Sequence, residues 1–158
     1  IRKLINQGNS NSKRYYHDCL GYNYRITNIQ AAIGYAQIKK INEILMKKQF
    51  IRDFYFSKLS KIVKFQNKFD TKSSNWLISI LLKSEEQKKS VEKILNTHNI
   101  ESRPLFYPIP DLPYYESNDN EVLNARELRN KGISLPSYPS LNKEDLNLIC
   151  GLIKNNLK

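Results

Sequence analysis

The chain has 158 residues, enough for one domain with a sizeable core or for part of a larger protein. Its 26 Lys+Arg against 15 Asp+Glu give a formal net charge of +11, but the lysines are scattered through every segment and Asn is abundant, so compositional bias explains much of the charge. No RNP-type, zinc-finger or helix-turn-helix signature accompanies it, which leaves nucleic acid as a secondary reading. With no membrane-length apolar run and no signal-peptide pattern, a soluble cytoplasmic protein without a membrane partner is the expectation. Cys19 and Cys150 lack CxxC spacing, which points to reduced thiols and away from structural zinc.

Residues 1–22 are polar, with Gly8-Asn9-Ser10-Asn11-Ser12 in succession, and predict a loop or frayed start. From Thr27 to about Ser60 the pattern is helical. Ile29, Ile33 and Ala36 fall on one side, and Ile41, Ile44, Leu45, Ile51, Tyr55 and Leu59 continue the stripe. Lys39, Lys40, Lys47 and Lys48 take solvent-side positions. Thr27 and Gln30 have capping-box spacing. Gly34 costs about 1 kcal/mol relative to Ala in a helix interior, so close packing is expected there. So long a helix would outrun a compact domain, and it is expected to bridge to a second domain or a partner subunit.

Ile62-Val63-Lys64-Phe65 predicts a short strand. The apolar run Trp76–Leu82 predicts a central strand buried on both faces. Ser84-Glu85-Glu86-Gln87 is a second capping box, leading a helix with Val91, Ile94 and Leu95 inward and an end near Asn99. A short extended piece follows at Ile100–Arg103. Pro104, Pro108, Pro110 and Pro113, interleaved with Phe106, Tyr107, Tyr114 and Tyr115, exclude helix and central strand. They make either a rigid pocket-lining loop or a stiff connector with its aromatics packed on the core. A third helix is expected from Asn120 to Lys131, with Val122, Ala125 and Leu128 inward and Gly132 at C′. Ile133-Ser134-Leu135-Pro136 predicts a strand. Asn142 caps a last helix with Leu146, Ile149, Ile153 and Leu157 inward, Leu141 and Leu146 at staple spacing, and Cys150 in the core. The whole predicts an α+β layer architecture: a long N-terminal helix, then a small sheet of about three strands packed against helices. The expected divisions are a lead-in over 1–26, the interdomain helix over 27–60 and a small α+β domain over 61–158.

One stretch carries chemistry. Asn23 and Arg25, flanked by Tyr22 and Tyr24, stand just ahead of the Thr27 cap. An amide and a guanidinium beside the partial positive charge of a helix N-terminus make a cradle for an anion such as a phosphate. The alternative is that they only stabilise the turn. No carboxylate pair, Ser-His-Asp set, metal-spaced cluster, Walker loop or GxGxxG is present. His17 is expected to be a surface or packing residue.

Four segments in order carry a resemblance: Gly21-Tyr22-Asn23-Tyr24-Arg25-Ile26-Thr27-Asn28-Ile29-Gln30-Ala31-Ala32-Ile33-Gly34; Asn99-Ile100-Glu101-Ser102-Arg103-Pro104, with Asn99 in place of a usual glycine; Asn124-Ala125-Arg126-Glu127-Leu128; and Gly132-Ile133-Ser134-Leu135-Pro136. Together they resemble the DegT/DnrJ/EryC1/StrS sugar aminotransferases over nearly the whole chain. The Arg103-Pro104 to Pro108 form is most similar to the branch that makes perosamine-type 4-amino sugars. The resemblance implies the C-terminal part of an aspartate-aminotransferase-like, fold type I enzyme dependent on pyridoxal 5′-phosphate (PLP). Its Schiff-base lysine would lie upstream, so no catalytic residue is assigned here, and this stretch alone would be inactive. The resemblance further implies a homodimer with shared sites, in which Asn23 reaches the cofactor phosphate of the other subunit and Arg25 supports it. Arg103, Phe106 and Tyr107 would lie toward a nucleotide-linked 4-keto-6-deoxy sugar, aminated from glutamate through the pyridoxamine form. The alternatives are a nucleic-acid- or polyanion-binding module, a non-catalytic family remnant, or a dehydratase sub-branch.

Overall fold

The computed structural model describes residues 1–67, 72–113 and 122–157. The chain divides into two compact units, Ile1–Asn42 and Glu43–Lys158.

In the first unit a single short turn, α1 (Arg2–Ile5), precedes a cross-braced segment, and α2 (Asn28–Lys39) follows. The expected loop over 1–22 is instead tied by backbone hydrogen bonds. Gln7 N–H donates to Tyr22 O at 3.0 Å, Tyr24 N–H to Ile5 O at 3.0 Å, and Asp18 N–H to Gly8 O at 3.1 Å. Isolated bridges join Asn6 to Asn23 and Asn9 to His17. Two glycines permit this. Gly8 sits at φ 67°, and a Cβ on it would strike the Cys19 carbonyl; a Cβ on Gly21 would strike the backbone of Gln7 and Gly8. Composition marks this stretch as loop because its pairing is long-range backbone pairing, which side-chain periodicity does not report.

The helical stretch expected from Thr27 to Ser60 is divided at Lys40 into α2 and α3 (Ile41–Leu59). The stripe Ile29, Ile33, Ala36 next requires an apolar residue at position 40; Lys40 stands there, and the stripe resumes at Ile41. No residue of α2 is buried, and nothing lies within 4 Å of a Cβ placed on Gly34, so the close packing expected there is absent among the described residues.

The second unit is built on a four-stranded antiparallel sheet. Its strands are β1 (Lys64–Phe65), β2 (Ile78–Leu81), β3 (Arg103–Pro104) and β4 (Gly132–Leu135), in the order β1-β2-β4-β3. Three helices, α4 (Glu85–Thr97), α5 (Leu123–Lys131) and α6 (Lys143–Asn156), complete it with α3. The small sheet thus has one strand more than the three read from the pattern; the end of the extended piece, Arg103 with Pro104, pairs with β4.

The register sets Ile78 opposite Leu135 and Ile80 opposite Ile133. These four meet Ile51, Tyr55 and Leu59 of α3, Val91 and Leu95 of α4, and Leu146, Ile149 and Ile153 of α6 in one core. Each such side chain contributes about 1.5–3 kcal/mol by leaving water. β2 is not buried on both faces as expected: Ser79 and Leu81 are half-buried, and Ser79 shares a 2.9 Å hydroxyl contact with Ser134 across the ladder. The apolar run overstates the strand, because Trp76 and Leu77 precede it and Trp76 is exposed.

The caps place the helices. Asn142 Oδ1 accepts from Asp145 N–H at 2.7 Å, and Leu141 and Leu146 are both buried. Ser84 Oγ accepts from Gln87 N–H at 3.3 Å, but Gln87 Oε1 accepts from Lys83 N–H at 3.1 Å, one residue before the expected partner. α4 ends in a Schellman arrangement: Ile100 N–H donates to Leu95 O and Asn99 N–H to Asn96 O, each at 2.9 Å. α5 departs from expectation. Its described part starts after Val122, the proposed start at Asn120 lies outside the described residues, and Ala125 and Leu128 are exposed. Gly132 has φ −100° and ψ 143° and runs straight into β4, so it is not a left-handed C′ residue. A Cβ there would strike Leu105 Cδ1, a close approach that explains the glycine.

Candidate functional site

The first unit holds the elbow ahead of α2. Thr27 Oγ1 accepts from Gln30 N–H at 3.3 Å, and Gln30 Oε1 accepts from Thr27 N–H at 2.9 Å, so the expected capping box forms. The box uses donors that an anion would otherwise share; the first-turn N–H groups of Asn28 and Ile29 are the ones it does not use. Asn23 is exposed, with its backbone on the bridge to Asn6. Arg25 is exposed and donates from Nη1 to Asn6 Oδ1 at 3.3 Å. The Tyr22 and Tyr24 rings stack at 5.2 Å with 12° between planes. An amide and a guanidinium therefore stand at the surface on a braced turn, a donor set suited to a phosphate that arrives from outside the unit.

The second unit holds an open cleft of about 620 Å³, within the size range of small-molecule sites. The end of β4 and the turn to α6 form one wall, the α4–β3 connection another, and α3 contributes Lys48. Arg103 lines this cleft, and its Nε donates to Glu101 Oε1 at 3.3 Å. Phe106 and Tyr107 do not line it. Phe106 stands against Trp76, a cleft residue, with ring centroids 6.4 Å apart and 29° between planes. Tyr107 lies beneath the Arg129 guanidinium at 4.3 Å. The proline-bearing loop is pinned to α5 by Arg126, whose Nε donates to Asp111 Oδ1 at 2.9 Å. That hydrogen bond holds the Asp111 carboxyl below the usual range. Tyr114 and Tyr115 lie outside the described residues.

The helical pattern gives Lys48 a solvent-side position, and the structure turns it into the cleft instead. Its Nζ donates to Trp76 O at 3.2 Å and lies 3.5 Å from Ser137 Oγ, while Ser137 Oγ donates to the same Trp76 carbonyl at 2.9 Å. Partial burial lowers its pKa. The signal was present in the pattern: Lys48 stands three and seven residues before Ile51 and Tyr55, on the core stripe of α3.

This small antiparallel α+β unit has the architecture of the C-terminal part of a fold type I, PLP-dependent transferase. A chain from Streptococcus pneumoniae assigned as a sugar aminotransferase, solved in its PMP form, superposes with a TM-score of 0.86 at 23% identity, covering 98% of this chain and 41% of that one. Residues 1–154 match the DegT/DnrJ/EryC1/StrS aminotransferase family, and the chain belongs to it. It is 38% identical to the GDP-perosamine synthase of Vibrio cholerae over 97% of this chain and 43% of that protein. It is 37% identical to the GDP-perosamine synthase of Escherichia coli O157:H7 over 91% of this chain and 40% of that protein. The chain therefore spans about two-fifths of the length of the curated relatives it matches. Among the described residues no helix is long and apolar enough to cross a membrane.

Proposed function

We propose that this chain forms part of a PLP-dependent aminotransferase that moves an amino group from glutamate to a nucleotide-linked 4-keto-6-deoxy sugar, for surface-polysaccharide synthesis. The observation that carries the reading is identity of 37% and 38% to two GDP-perosamine synthases across almost the whole chain. A guanosine-linked sugar is accordingly the favoured substrate.

When bound, PLP supplies the electron sink that lets an amino group leave one carbon and join another. The residues of this chain bind and orient. Asn23 donates its amide to the cofactor phosphate of a sister subunit, and Arg25 adds charge beside it. Their exposure and the bracing of the turn through Asn6 support this, because a donor offered to another subunit must stand at the surface. Arg103 in the cleft faces the diphosphate as a two-pronged donor, with Phe106 and Tyr107 toward the rest of the nucleotide sugar. The assembly is a homodimer with shared sites in the cytoplasm.

The test is a replacement. The matching segment of the Vibrio cholerae GDP-perosamine synthase is exchanged for this chain, and glutamate-dependent amination of the GDP-linked keto sugar is measured. Activity is expected, and Asn23→Ala in the exchanged segment should weaken PLP retention about 5- to 150-fold, the loss of one hydrogen bond to a charged acceptor. A folded but inactive hybrid, or unchanged PLP affinity in the variant, would overturn the corresponding part of the reading.

A further inference from the structure

Trp76 has no role in the reading above, yet it lines the cleft that holds Arg103. It is the chain's single tryptophan, and its side chain is 65% exposed although it lines the cleft. Its neighbour Phe106 is 74% exposed. Neither ring joins the core cluster of this chain. Their ring centroids lie 6.4 Å apart with 29° between planes, so the two rings form one aromatic surface.

The backbone under Trp76 is held firmly. Its carbonyl accepts from both Lys48 Nζ and Ser137 Oγ, which reach it from α3 and from the turn after β4. Side chains that face solvent do not need a doubly anchored backbone for packing. A rigid platform with an exposed ring is what stacking recognition requires. Arg103 supplies a cation in the same cleft, with Glu101 and Asp145 as the acidic groups that line it.

We propose that Trp76, with Phe106 beside it, is the stacking seat for the nucleobase of the nucleotide sugar, and that Lys48 and Ser137 are positioning residues for that seat. The inference rests on the proposed function for the identity of its ligand. A flat purine offers a π-face that fits an exposed indole, and such rings give base recognition without hydrogen-bond specificity. Specificity for one base must then come from groups other than this pair.

The test is made in the hybrid enzyme described above. Binding of GDP and, separately, of mannose 1-phosphate is measured by calorimetry. Saturable binding of GDP and none of the base-free sugar phosphate is expected. Phe106→Ala should weaken GDP binding, and Lys48→Met should weaken it with no loss of the unfolding transition. Trp76→Ala should raise KM for the nucleotide sugar about 5- to 100-fold with kcat changed little. Absence of GDP binding, equal binding of mannose 1-phosphate, or an unchanged KM in Trp76→Ala would overturn the seat. An active wild-type hybrid with an unchanged KM in the variant sinks the seat alone. GDP binding that Trp76→Ala weakens in a folded but inactive hybrid supports the seat and counts against the aminotransferase reading.

Discussion

Tyr55 donates its hydroxyl to the carbonyl oxygen of Pro136 at 3.0 Å, joining α3 to the residue just past β4. The ring is wholly buried, and burial pushes the phenol pKa well above its ordinary value. Pro136 itself lies in the wall of the cleft, so one buried hydrogen bond fixes a helix against a site-forming turn.

Tyr55→Phe keeps the ring and removes the donor. It should destabilise the chain by about 1–3 kcal/mol, since the Pro136 carbonyl is left with an unmet bond. Urea denaturation of the variant and the parent checks this; equal midpoints would show that water replaces the hydroxyl.

Gly8→Ala should damage the first unit. The residue sits at φ 67°, and an added Cβ meets the Cys19 carbonyl, which is backbone and cannot swing away. Hydrogen exchange should quicken at the Gln7, Asp18 and Tyr22 amides that the bracing protects, while protection in α4 and α6 is retained.

Asn99 holds the left-handed position of the Schellman cap at φ 56°. Asn99→Gly should be neutral or stabilise by a few tenths of a kcal/mol, and Asn99→Ala should cost about 1 kcal/mol, because a Cβ is strained there and alanine has no polar side chain to compensate. Thermal unfolding of the pair, read as a difference between the two variants, decides it. A lower Tm for the glycine variant would contradict the assignment.

Burial pushes the Cys150 thiol up to about 11 from an ordinary 9.0. The folded state therefore keeps a proton that the unfolded state gives up. The stabilising contribution is complete below pH 9 and declines as pH rises from about 9 through 11. Denaturant midpoints at pH 8 and pH 10.5 should fall more for the parent than for Cys150→Ala. A parallel fall in both would remove the thiol as the cause.

Much of the chain was legible before folding because its signals are local. The capping box at Thr27 and Gln30, the Asn142 cap with its Leu141 and Leu146 staple, and the stripe Leu146, Ile149, Ile153 each depend on residues within a few positions of one another. Asn99, flagged as standing where a glycine is usual, occupies the backbone region that glycine serves. The family, too, was readable from short motifs in order.

The amino-acid order by itself determined the capped starts of α2, α4 and α6, the core stripes of α3 and α6 and which family the chain belongs to, since these follow from spacing along the chain. Only the tertiary structure decided that residues 4–24 are braced and not loose, that β2 is half-buried on the face of Ser79 and Leu81, and that the carbonyl of Trp76 is what Lys48 meets. Each of these depends on a partner far away in the chain, and the free energy of such a contact is set by proximity in space, which no periodicity along the chain encodes.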